Sequence, residues 1–209
     1  MHLFITSSLC RSVAFGVLLA AFAAVGCERN QSNDSGGKSD GADSTAAEKG
    51  GDPVARGKYL VTIGGCNDCH TPWKMGEKGP EPDMTLMLSG HPQAMVMPEP
   101  PKPAGPWLWG GAATNTAYHG PWGVSFAMNL TPDSVTGIGS WSEATFVEAI
   151  RTGKHMGKGR PIMPPMPWPA YMNMTDEDLK GIYAYLRTIP VIKNQAPEYI
   201  PPKEGAPAM

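Results

Sequence analysis

Hydrophobic positions recur at helical spacing in three places along this chain. The clearest is "TDEDLKGIYAYLRTIP", Thr175 to Pro190, where Leu179, Ile182, Tyr183 and Leu186 make one apolar stripe. Thr175 is a good N-cap, and Asp176, Glu177 and Asp178 put negative charge where the helix dipole is positive. Arg187 sits in the last turn and Pro190 ends the helix. A second helix follows "GIGSWSEATFVEAIRTG": Ser140 or Ser142 caps it, Phe146, Val147 and Ile150 face inward, and Gly153 stops it. An earlier one runs from Val54 to about Ile63, with Tyr59 and Leu60 as its apolar bulk and Gly64-Gly65 as its end. The fold class expected from these elements is all-α, with three main helices.

Other stretches lack that period. Residues 1–26 have a weakly basic start (Arg11) and an apolar run from Val13 to Val25, too short to span a bilayer comfortably, which reads as a signal peptide. The run ends in "AVGC". Small residues directly before Cys27 resemble a lipoprotein lipobox, which predicts a lipidated Cys27; ordinary cleavage, leaving a plain thiol, is the alternative. Residues 27–52 are polar or small, with Ser, Gly and Asp the most frequent, and hold no aromatic residue, the composition of a flexible tether. The folded domain is expected over 53–190, with an extended tail over 191–209. Within the domain, Thr71 to Gly123 is a long Pro/Gly-rich insert with Trp73, Trp107, Trp109 and Trp122. "DMTLMLSGHP" suits a short helical turn. A loop of this length is usually functional or packed as a cover; its tryptophans read as core.

Composition narrows the function. The 209 residues carry a formal net charge of −2 and no long Lys/Arg run, which argues against a nucleic-acid binder. Gly (25) and Pro (22) are both high and charged residues make up 17%, which fits a loop-rich domain.

Cysteine is scarce, yet two of the four lie in "GGCNDCH", Gly64 to His70. A thioredoxin-type redox pair needs a preceding strand, and none is read there. A zinc site needs two further ligands, and no second Cys pair exists. A disulfide between Cys66 and Cys69 closes a very short, strained loop. C-x-x-C-H is the attachment pattern for haem c, and that reading accounts for the histidine: Cys66 and Cys69 form thioethers to the vinyl groups and His70 ligates the iron. Export, as the first 26 residues suggest, suits such attachment. For the other face of the iron, "GRPIMPPMPWPAYMNM" is a proline-stiffened loop carrying Met163 and Met166 just before the last helix. His155 is a rival ligand, expected on a solvated Lys/Gly loop; His91 and His119 read as loop residues with local hydrogen bonds.

"CNDCH", "NLTPD", "TGIGSWSEATFVEAIRTGK", "PPMPWP" and "MTDEDLKGIYAYLRTIP" together resemble the class I c-type cytochromes. More narrowly, they are similar to bacterial periplasmic cytochromes related to the cytochrome subunits of membrane-bound dehydrogenases. The resemblance covers roughly Pro53 to Pro190, loosely over the insert. It implies a cytochrome c fold around one covalent haem c, with first and last helices crossing at Gly57 against Gly181 and Tyr185. It implies that Met166, nine residues before Thr175, is the sixth ligand, ahead of Met163. It also suggests the Asn129–Asp133 turn, Arg160 or Trp168 as hydrogen-bonders to a propionate.

Iron closed on both faces is suited to one-electron transfer, with sulfur ligation raising the potential. The function expected is a membrane-tethered, periplasm-facing monohaem carrier exchanging electrons with a dehydrogenase, an oxidase or another cytochrome, and not an enzyme. Alternatives are a haem subunit held permanently by a dehydrogenase, or a haem enzyme or sensor with a displaceable Met. Lys154, Lys158 and Arg160 form a basic cluster that reads as a solvated charged loop, with steering of an acidic partner as the alternative.

Overall fold

Asp52 accepts a hydrogen bond from the Val54 backbone N–H at 2.9 Å, and Pro53 stands in the first turn, where its missing donor is harmless. They start helix α1, Pro53–Ile63. The computed structural model describes residues 51–102 and 105–203. The expected signal segment, the lipidated Cys27, nearly all of the tether and the last six residues of the tail lie outside the described residues.

Four further helices follow among the described residues: α2, Cys66–His70; α3, Glu143–Thr152; α4, Trp168–Tyr171; and α5, Asp176–Leu186. The expected caps are in place. Ser142 accepts from Thr145 N–H and Thr175 from Asp178 N–H, each at 3.1 Å, and Gly153 takes φ +63° to end α3. Short 3₁₀ turns occupy Met84–Leu86, inside the stretch expected to turn, and His155–Gly157.

Helices α1 and α5 pack backbone to backbone. A Cβ on Gly57 would stand 1.9 Å from the Gly181 carbonyl oxygen and 2.9 Å from Tyr185 Cβ, so only glycine permits this approach. Arg56 and Asp178 pair across the junction at 2.9 Å. The close crossing brings Leu60, Val61, Leu179, Ile182 and Leu186 into one cluster, which Ile138, Phe146, Ile189 and Leu88 complete. Each such aliphatic side chain, fully buried, contributes roughly 1.5–3 kcal/mol.

The all-α expectation is overturned by the insert. Strands β1, Trp73–Gly76, and β2, Gly79–Pro82, form an antiparallel hairpin. Strands β3, Gly110–Gly111, β4, Ala117–Gly120, and β5, Gly123–Phe126, form a three-stranded antiparallel sheet in that order. Both hairpins turn on two residues, Glu77-Lys78 and Pro121-Trp122, and the glycine after each, Gly79 and Gly123, takes a positive φ. The strands are at most four residues long and carry little alternating pattern, so they form through pairing and not through local preference. The tryptophans also depart from expectation: Trp107 is 76% exposed and Trp109 50%, so neither is core.

The segment after α5 is extended and closely held. The Asn129 amide donates to the Ile192 carbonyl at 2.8 Å, the Asn194 amide donates to Ser89 and His91 carbonyls at 2.7 and 2.8 Å, and Ile200 bridges Val124.

Candidate haem site

Gly65, at φ +65°, turns the chain from α1 into α2 and is adjacent to Cys66. In a five-residue helix, positions one, four and five fall on neighbouring faces. Cys66, Cys69 and His70 accordingly line one cavity of about 540 Å³, within the range of cofactor pockets. Its walls are largely apolar, with Leu130, Ile138, Trp141, Phe146 and Ile150 among them. Both thiols are free, and burial pushes that of Cys66 up to about 11, keeping it protonated.

His70 Nδ1 lies 2.7 Å from the Met128 carbonyl oxygen. A carbonyl only accepts, so Nδ1 carries the proton and Nε2 keeps its lone pair. Burial lowers the His70 pKa, and the Met128 bond opposes that in part, so the ring is neutral at pH 7. A neutral imidazole with an unprotonated Nε2 is the form that ligates a metal.

Met163 and Met166 both line the same cavity, so the structure brings together the two thiols, the imidazole and both candidate thioethers across 100 residues of sequence. The proline loop carrying them is tied down at several points. Ile162 N–H donates to Gly153 O at 2.7 Å, Ser125 Oγ donates to Pro164 O at 2.6 Å, and Trp168 packs over Gly153.

Three expectations for the surroundings change. His155 is a wall of the cavity and not a solvated loop residue; its ring meets Trp141 edge-on with centroids 5.2 Å apart, and burial lowers its pKa. Asn129 faces the cavity, but its side chain is fully engaged. It accepts from Thr131 N and Oγ1 and donates to Thr136 Oγ1, Ile192 O and Asn194 O, leaving no donor for a propionate. Trp168 does not line the cavity, whereas Arg160 does, with Nη2 3.7 Å from Met128 Sδ. His91 is wholly buried between Thr116 Oγ1 at 2.9 Å and Met95 O at 3.1 Å, and His119 lies in β4; neither reaches the cavity.

Other lining residues carried no sequence signal. Tyr118 of β4, Tyr171 of α4, and Gln195, Glu198 and Tyr199 beyond α5 all border the cavity. No motif marks them, because each arrives by long-range packing. Tyr171 donates to Gly64 O, next to the start of α2, and Tyr199 to Trp122 O.

A large, flat, mainly apolar group with two points of sulfur attachment and nitrogen and sulfur ligands suits this lining. No family model matches the chain. It is 39% identical over 88 residues, 42% of its length, to a subunit of the nicotinate dehydrogenase of Pseudomonas putida. It is 33% identical over 132 residues, 63% of its length, to the gluconate 2-dehydrogenase cytochrome c subunit of Pantoea cypripedii. To the cytochrome c subunit of the quinone alcohol dehydrogenase of Gluconacetobacter polyoxogenes it is 38% identical over 132 residues, again 63%. The matched part spans 7% of the first relative, 22% of the second and 21% of the third. The CxxCH helix, the cavity behind it and these similarities together identify the chain as a c-type cytochrome related to the cytochrome c subunits of dehydrogenases.

Proposed function

We propose that this chain is an electron-transfer protein holding one haem c in the cavity, attached through Cys66 and Cys69, with His70 and Met166 as the iron ligands. The observation that carries the reading is the His70 ring, neutral, protonated on Nδ1 by its bond to Met128 O, and lining a cavity that both thiols share. When bound, haem c supplies one-electron exchange between ferric and ferrous iron.

The chain's own residues then do four things. Cys66 and Cys69 hold the group covalently on the rim of α2. The Met128 carbonyl fixes the His70 ring about its long axis and raises its basicity as a ligand. Phe146, Ile138, Trp141 and Leu130 keep water from the cavity and lower the local dielectric, which disfavours the more highly charged oxidation state. Arg160, at the cavity wall, offers a cation to a buried carboxylate.

Replacement of Met166 and, separately, Met163 by Ala, each followed by optical spectra of the ferric protein, tests the ligand set. Loss of the weak long-wavelength sulfur-to-iron band with Met166→Ala alone supports it. Loss with Met163→Ala alone reassigns the ligand to Met163.

The names of the relatives favour a second reading, a haem subunit held by a dehydrogenase, over a free carrier. Stable copurification with a larger catalytic chain distinguishes the two. Under either reading the redox partner is a dehydrogenase, an oxidase or another cytochrome. The chain acts on the outer side of a bacterial membrane, exported by residues 1–26 and tethered through a lipid on Cys27. Metabolic labelling with a fatty acid, lost in Cys27→Ser, tests that anchor.

A further inference from the structure

A helix of five residues has too few internal hydrogen bonds to hold its own shape. Helix α2 is held from outside, and the insert supplies the holding groups. The Asp68 carbonyl, which lies between the two cysteines in sequence, accepts from Trp73 Nε1 at 2.9 Å and from Asn115 Nδ2 at 2.8 Å. The His70 carbonyl accepts from Gly90 N–H at 2.7 Å. Asn115 reaches Asp68 from the tip of the turn between β3 and β4, where it takes φ +52°, a conformation that asparagine tolerates better than most residues. Its own carbonyl accepts from Tyr118 Oη at 2.6 Å, and Tyr118 Oη stands 3.1 Å from Cys69 Sγ.

The hydroxyl has one hydrogen, and the shorter bond, to Asn115 O, takes it. The phenol oxygen is then left with lone pairs toward Cys69, and the Cys69 thiol, 3.1 Å away, is within reach to donate to them. The Cys66 thiol has no such partner among the described residues. The tyrosine ring is itself braced by Trp109, centroids 6.4 Å apart.

The geometry points to Asn115 and Tyr118 as positioning residues that hold the Cys69 sulfur in place for covalent attachment of haem. This rests on the haem reading above. Attachment at Cys69 is an addition: the sulfur bonds to the inner carbon of a vinyl group and the thiol hydrogen ends on the outer carbon. No atom leaves and no electron is gained or lost overall. Tyr118 does not take part in the bonding; it restricts the rotation of the thiol so that sulfur faces the cavity. After attachment the sulfur retains only lone pairs, and the phenol hydrogen is shared between it and Asn115 O.

The test uses the full chain matured in a host competent for haem attachment. Tyr118→Phe removes the hydroxyl and keeps the ring against Trp109; Asn115→Gly keeps the positive φ and removes the amide donor to Asp68. Peptide mass mapping reads thioethers at Cys66 and Cys69 separately, and the pyridine haemochrome band reports single against double attachment. We expect Cys69 to be left free about fivefold more often in each variant, the factor corresponding to one neutral hydrogen bond, with Cys66 attached as before. A purely structural role would lower both attachments together. Full double attachment in both variants, or equal loss at Cys66 and Cys69, overturns the proposal while leaving the haem reading intact. Absence of covalent haem from the unsubstituted protein overturns both.

Discussion

Replacing Gly57 by alanine should break the junction on which the helical frame is built. The added methyl carbon would lie 1.9 Å from the Gly181 carbonyl oxygen, against about 3.3 Å for a close carbon–oxygen contact. The obstacle is backbone, so no side chain can swing aside, and α1 and α5 must part by roughly 1.4 Å. A gap of that size forfeits half or more of the attraction between facing atoms. Overpacking of this kind costs about 3 kcal/mol, and the better helix propensity of alanine returns about 1. The net loss of about 2 kcal/mol lowers the melting temperature by roughly 4–8 °C for a domain of this size. Gly181→Ala is the internal comparison. Its methyl would meet Pro53 O at 3.1 Å, a conflict of a few tenths of an ångström, so propensity and crowding nearly cancel. Thermal unfolding followed by circular dichroism on both variants decides the matter. A Gly57→Ala protein melting with the parent, or a Gly181→Ala protein harmed equally, would refute the reasoning.

Two other outcomes follow from single side chains. Asn129→Ala removes a wholly buried amide that serves Thr131, Thr136, Ile192 and Asn194 at once, so it should cost about 3 kcal/mol in urea unfolding and speed tryptic cleavage after Lys193; an unchanged midpoint refutes it. Asp133 accepts from Thr136 Oγ1, Thr136 N and Val135 N, which hold its pKa below the ordinary carboxylate value. Its folded pKa is thus below its unfolded one, so its contribution is fully present above about pH 4 and is lost as pH falls through the folded value. Asp133→Asn should flatten the acid limb of a stability–pH curve, and an identical limb in both proteins would count against this.

The three long helices were legible because each carries its own punctuation. Thr175 caps as its sequence context demands, Ser142 takes the cap that the sequence left open between it and Ser140, Gly153 stops α3, and the stripe of Leu179, Ile182 and Leu186 faces the core. The cysteine pair and His70 were legible for a related reason: chemistry that needs residues one, four and five of a single turn leaves its mark in five consecutive letters. The strands of the insert were not, since two- to four-residue segments pair through partners that no local pattern names.

Sequence alone determined the three long helices, their caps and the CxxCH motif, because those depend on neighbours within a few positions or on a motif a few letters long; the glycine crossing joins residues 124 positions apart and was expected only through the family resemblance. Only the tertiary structure decided that His155 is a cavity wall, that Asn129 is fully engaged in the fold, and that Tyr118 reaches Cys69. Those facts depend on where the chain returns after 47 to 65 positions, as in Asn115 to Asp68 or Asn129 to Asn194, and on which donor is left over when it arrives.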